Sequence, residues 1–180
     1  MSIRGQHRSF RKGTTKASAP YKSLRDNKKL PVYIRLADDG DASFVYKSWL
    51  DSWWVQNKDQ FQPLFYKGHR QVIKHLMENA VTVIACSDDD PNLIFSWMCG
   101  LRTPNNRLIV HYAYTKEAFR AFGLARTLLR YFEYKKGEPI LCSHRSFIFK
   151  ELKRPYNLFY VPGLQQPDGV SKIESEEWKL

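Results

Sequence analysis

The sequence predicts an α+β fold of interleaved strands and helices, with a polar arm at each end. Three observations predict it. The apolar pattern alternates between strand-like and helical spacing in the order β-α-α-β-β-β-α-β-α-β. Two β-rich runs, residues 80–86 and 92–100, are separated by Ser87-Asp-Asp-Asp-Pro91, which is a hairpin signal. Residues 108–115 read as a strand that passes through a tight turn with Gly123 into an amphipathic helix.

Taken in order, residues 1–29 come first. They hold nine Lys or Arg against the single acid Asp26, so most of the net charge of +11 sits there. Beyond Met1 and Ile3 at the start, Phe10, Tyr21 and Leu24 are their only large apolar anchors. Such a segment cannot bury enough surface to offset the entropy of ordering, and in isolation it is expected to be a disordered, basic extended arm. It suits nucleic acid, acidic lipid or an acidic protein surface, or serves only as a solubilising tail. Residues 30–164 form the expected domain, and the polar residues 165–180 a second arm.

Residues 30–36 read as the first strand. Asp38-Asp-Gly-Asp41 makes a turn, with Asp41 placed to cap the next helix. Phe44, Val45, Trp49, Leu50 and Trp53 recur at helical spacing over residues 42–55, and a second helix is expected over 64–79. Trp49, Trp53 and Trp54 read as core packing. After the hairpin, Thr103-Pro-Asn-Asn106 turns the chain into residues 108–115. A helix over residues 124–134 then places Leu128, Leu129 and Phe132 inward and Arg126 and Arg130 outward. Residues 140–144 read as a short strand, 146–153 as a short helix, and 158–161 as the last strand.

Several classes are excluded. No apolar run approaches the ~20 residues of a membrane span. The basic N-terminus lacks the apolar core of a secretory signal. Cys86, Cys99 and Cys142 are scattered without C-x-x-C spacing, so neither a metal site nor a disulfide framework is expected, and a reducing cytoplasm is the natural compartment. The run Asp88–Asp90 reads as a solvated turn.

Chemistry concentrates in Arg120-Ala-Phe-Gly-Leu-Ala125. A glycine turn that opens a helix offers unpaired backbone N–H groups and the positive end of the helix dipole, so it can hold a phosphate or pyrophosphate. The strand, turn and helix resemble the acyl-CoA-binding segment of the GNAT superfamily of acetyltransferases. Its motif is Arg or Gln, two residues, Gly, one residue, then Gly or Ala, and Arg120, Gly123 and Ala125 fill those places. The element order over residues 31–163 is similar to the GNAT layout, which implies a mixed, mostly antiparallel sheet flanked by helices that splays between its fourth and fifth strands.

That resemblance implies acetyl-CoA as cofactor and no metal. Its pyrophosphate would lie on the backbone of Arg120, Ala121, Phe122, Gly123, Leu124, Ala125 and Arg126. A main-chain N–H near Tyr114 and Thr115 would polarise the thioester carbonyl. Two features depart from the commoner motif: Ala125 stands in place of a second glycine, and Phe122 must point away from the phosphates. For proton transfer, the resemblance points to a base on the strand before the motif and a tyrosine after the fifth strand. His111 is the titratable side chain on the former, and Tyr156 and Tyr160 lie in the latter region. His111 reads more readily as a packed strand residue with a satisfied hydrogen bond than as that base. In Cys142-Ser143-His144, strand alternation would point Ser143 and His144 apart, against a nucleophilic pair.

Two functions follow from the resemblance. One is an acyl-CoA-dependent N-acetyltransferase acting on an amine. The other is a non-catalytic structural adaptor, since residues 111–120 look like acetyltransferase-like proteins of tailed bacteriophages. An adaptor would use both arms to meet neighbouring virion subunits, such as a portal at the head–tail junction, in a homo-oligomeric ring, with DNA contact by the basic arm. The expected location is the host cytoplasm or the virion.

Overall fold

The computed structural model describes residues 21–22, 29–146 and 149–171. Its frame is a six-stranded sheet laid down in chain order. The strands are β3 (Val32–Leu36), β4 (Val81–Ser87), β5 (Ile94–Arg102), β6 (Leu108–Thr115), β7 (Ile140–Cys142) and β8 (Leu158–Tyr160). They follow a small antiparallel ribbon of β1 (Tyr21–Lys22) and β2 (Lys29–Leu30), which lies inside the segment expected to be a disordered arm. The rest of that arm, residues 1–20 and 23–28, lies outside the described residues, as do residues 172–180.

β3 through β6 pair antiparallel, whereas β6–β7 and β7–β8 pair parallel. The mixed, mostly antiparallel sheet is therefore as expected. Parallel neighbours need a crossover, and the two crossovers are α3 (Leu124–Tyr131) and α4 (Phe149–Tyr156). The other two helices, α1 (Ala42–Trp54) and α2 (Gln62–Asn79), lie between β3 and β4 in sequence.

Strand alternation builds two cores, one on each face. On β4, Val83 and Ala85 join Phe95, Met98, Leu128 and Leu129 under α3, while Ile84 and Cys86 join Trp49, Ile73 and Trp97 under α1 and α2. Helical spacing supplies the covering faces: Val45, Trp49 and Trp53 from α1, and Phe65, Ile73 and Leu76 from α2. A third, smaller cluster joins Ile109 to Leu164, with Leu141, Val161 and Val170 against it. Packing thus continues into the first described residues of the expected C-terminal arm.

Three expectations need correction. Asp41 does not cap α1. Its carboxylate accepts the Asp38 N–H at 2.9 Å and both ends of the Arg35 guanidinium, one at 2.8 Å, while the Asp38 side chain takes the Gly40 N–H. The helix over residues 124–134 stops at Tyr131, because Glu133 adopts a left-handed φ of 57° and Arg102 takes the carbonyls of Phe132 and Glu133. α4 lies three residues later than expected and ends at Tyr156, with Pro155 in its last turn. No helix among the described residues is long and apolar enough to cross a membrane.

Candidate functional site: a splayed strand pair with an N–H-rich turn and a buried histidine pair

β7 pairs with β6 only across Leu108–Ile140, Ile109–Leu141 and Val110–Cys142. Among the described residues, the β7-facing edge of β6 has no strand partner from His111 to Thr115, leaving an opening about 16 Å long at ~3.3 Å per residue. The opening begins at a bulge. Cys99 lies across from Tyr112 and Gly100 from Val110, so His111 is the extra residue on β6.

At the far end of β6 the chain passes through a 3-10 turn, Glu117–Phe119, into the glycine turn. Phe119 stacks near Phe95 at 4.3 Å, and both Phe119 and Phe122 pack against the core under α3. Phe122 therefore points away from the turn's outer surface, as CoA binding would require. Ala121 and Gly123 have φ of 71° and 75°. Left-handed residues on either side of Phe122 turn the backbone sharply just before α3. The first intrahelical bond runs from the Thr127 N–H to the Gly123 carbonyl at 3.1 Å. The N–H groups of Leu124, Ala125 and Arg126 precede that ladder and have no carbonyl within α3 to reach. Arg120, Ala121, Ala125 and Arg126 are exposed around them, and a Cβ built on Gly123 would meet nothing within 4 Å. An anion has both donors and room here.

At the root of the opening lies a polar knot. His111 and His144 are 2% and 4% exposed, and Ser143 is fully buried between them. Ser143 Oγ lies 3.0 Å from His111 Nδ1, 2.8 Å from His144 Nδ1 and 3.4 Å from the His111 carbonyl. One hydroxyl proton cannot serve all three, so at least one Nδ1–H donates to Ser143. The structure thus overturns the expectation that Ser143 and His144 point apart. β7 ends at Cys142 and the chain bends, so alternation no longer governs the two residues.

His144 Nε2 is buried with no hydrogen-bond partner. It sits in an aromatic box, with ring centroids of Trp53, Trp49 and Tyr112 at 4.9, 5.3 and 5.8 Å. The box is held from behind: Trp53 Nε1 donates to His69 Nε2, and Ser52 Oγ shares a 2.8 Å hydrogen bond with the Tyr112 hydroxyl. Burial pushes His144 down to about 3 and His111 down to about 4, so both rings are neutral at pH 7.

The remaining expected residues fall elsewhere. Tyr114 packs between Phe44 and Trp97, and Thr115 Oγ1 shares a 2.8 Å bond with Ser96 Oγ, so both sit on the opened stretch of β6. Tyr160 lies on β8, two strands from β6, 39% exposed and against Phe149 of α4. Tyr156 packs beneath α3 near Tyr134. Neither tyrosine is among the residues around the histidine pair. Asp88, Asp89 and Asp90 are exposed, and no group of metal-ligating side chains occurs among the described residues.

No protein-family model matches the sequence, and no curated protein matches it. Among solved structures, the chain is similar to a possible acetyltransferase from Clostridium difficile 630, with 14% identity, covering 57% of this chain and 68% of that one, at a TM-score of 0.41. A GNAT-family acetyltransferase from Listeria monocytogenes 4b F2365 gives 14% identity, 58% and 69% coverage, and a TM-score of 0.39. A transcriptional regulator from Bacillus halodurans C-125 gives 18% identity, 82% and 93% coverage, and a TM-score of 0.38. At these values the likenesses assign the chain to no family. The fold class stands on the chain's own topology: an α+β sheet that opens between its fourth and fifth strands.

Proposed function

We propose that the protein is an acyl-CoA-dependent N-acetyltransferase acting on an amine. One observation carries this reading: the same strand opening has an N–H-rich turn at one end and an unpartnered, neutral imidazole nitrogen at the other. Acetyl-CoA would supply an acetyl group activated as a thioester.

The chain's own residues divide the remaining work. The N–H groups of residues 121–126 hold the pyrophosphate, helped by the exposed Arg120 and Arg126. His144 Nε2, sealed in its aromatic box, would accept a hydrogen bond from the amine once that box opens; as the amine took the acetyl group the C–S bond would break, and the amine's proton would leave with the thiolate. Donation from His144 Nδ1 to Ser143 Oγ selects the tautomer with a bare Nε2, and Ser143 joins that ring to His111. Trp49, Trp53 and Tyr112 exclude water around the same atom. The fit of the group rests on the open space over Gly123 and the donors beside it.

Calorimetry with acetyl-CoA tests the reading, with Gly123→Trp as its control. The indole would occupy the open face over the turn, and a side chain at this left-handed φ of 75° would strain the turn as well. The expected result is micromolar binding by the parent chain and at least a tenfold loss in the variant, with the circular dichroism spectrum unchanged. Absence of heat from the parent chain would overturn the enzyme and leave the non-catalytic adaptor.

A further inference from the structure

Among the described residues the sheet ends at β8, and no strand pairs with its outer edge. Ile140 N–H donates to the Asn157 carbonyl and Val161 N–H to the Cys142 carbonyl, so Asn157, Phe159 and Val161 turn their ladder groups toward β7. Parallel pairing then leaves the N–H and C=O of Leu158 and Tyr160 on the outside. A groove of about 890 Å³ lies against β8 and reaches across β7 to the β5–β6 turn, walled by Phe149 and Lys153 of α4, by Phe159 and Tyr160 of β8, and by Leu141 and Arg107. Among the described residues, Arg145, Lys150 and Lys153 on its walls make no ion pair. The acid at the groove, Glu138, is engaged by Arg102 at 2.7 Å. Phe159 and Tyr160 are exposed.

We propose that this groove docks an extended acidic peptide, which adds to β8 as a seventh strand. An open edge offers donors and acceptors in alternation, and only another backbone satisfies both. That favours a peptide over a nucleic acid, since the outward carbonyls of Leu158 and Tyr160 would face phosphate oxygens. Charge sets the peptide's sign, because three unpaired cations converge on the site. The pleat sets its pattern. Tyr160 contacts Phe149 on the α4 side, while Phe159 registers with Leu141, which packs in the cluster on the opposite face. An added strand therefore places acidic residues at alternate positions toward α4 and apolar residues between them toward Phe159 and Leu141.

The test uses the full chain and a blocked, fluorescent hexapeptide that alternates glutamate with valine. Anisotropy is expected to report saturable binding, weakened at least tenfold in the Lys150→Glu, Lys153→Glu double variant. Binding should also be lost when alternate peptide nitrogens are methylated, because methylation removes the strand pairing and keeps the charge. Both substitutions are at exposed positions, and the far-ultraviolet spectrum should stay unchanged. Four results would overturn the proposal: no binding, equal binding of a lysine-for-glutamate peptide, indifference to methylation, or displacement of the peptide by a single-stranded oligonucleotide.

Discussion

Gly100 of β5 lies across from Val110 of β6, and a Cβ on Gly100 would stand 2.5 Å from the Ile109 carbonyl oxygen. The missing side chain and the bulge at His111 are one device. Without the carbon, β6 can press against β5 at Ile109 and then kick outward by one residue, which opens its other edge where β7 stops.

Gly100→Ala should therefore act on both stability and the opening. The atom it meets is backbone and cannot swing aside, so the strands must separate locally, at a cost of about 1–3 kcal/mol. Urea unfolding should show that loss at pH 7. Acetyl-CoA affinity should fall as well, since the rearranged bulge lies at the root of the site. An unchanged urea midpoint would sink this account of the bulge.

The Arg35–Asp41 pair is a second buried device. Burial opposes the charge on Asp41, but the Arg35 guanidinium and the Asp38 N–H outweigh it and hold the carboxyl below its ordinary range. A carboxyl with a depressed folded-state pKa contributes stability above its unfolded value, about 3.9, and loses that contribution as pH falls through the folded value. Asp41→Asn should cost about 2 kcal/mol at pH 7 by weakening charge-assisted bonds. The gap between variant and parent should narrow below about pH 4. A gap that stayed constant from pH 7 to pH 3 would refute the pair's role.

Arg102 ties the end of α3 to the β5–β6 turn. Its guanidinium donates to the carbonyls of Phe132, Glu133 and Asn106 and pairs with Glu138. Replacing it with Met keeps the apolar stem and removes these bonds. The loss should be about 2–3 kcal/mol, with faster amide exchange confined first to residues 126–134. Uniform exchange across the sheet would show instead that the contact is not local.

Much of this architecture was legible because periodicity reports burial. Ile84 and Val83 face different cores one residue apart, and Trp49 and Trp53 fall one helical turn apart on the face that meets β5 and β6. The glycine turn was legible too, since Gly123 takes a left-handed φ that most residues avoid. The histidine knot was not. His111 is the extra residue of a bulge that exists because Gly100 lies across the strand pair. Ser143 and His144 meet only because the strand ends one residue before them. The bulge depends on a contact between two strands, the packed and hydrogen-bonded state expected of His111 is present, and local alternation gives the wrong answer only for Ser143 and His144.

The same knot should make the fold acid-sensitive in a defined window. Burial lowers His111 to about 4 and His144 to about 3, against an unfolded value near 6.5. The unfolded chain therefore binds protons first as pH drops below about 6.5, while the folded rings stay neutral. Stability is full above that pH and falls by about 1.4 kcal/mol per unit for each ring, until the folded pKa is reached. This loss sets in at higher pH than the Asp41 effect, so the two separate on one titration. His144→Phe keeps an aromatic ring in the box and removes one of three histidines that burial holds below their ordinary value, the third being His69 behind Trp53. The stability difference between pH 7 and pH 5 should then shrink by about 2 kcal/mol relative to the parent chain. Urea unfolding at the two pH values measures it, and an undiminished difference would place the acid sensitivity elsewhere.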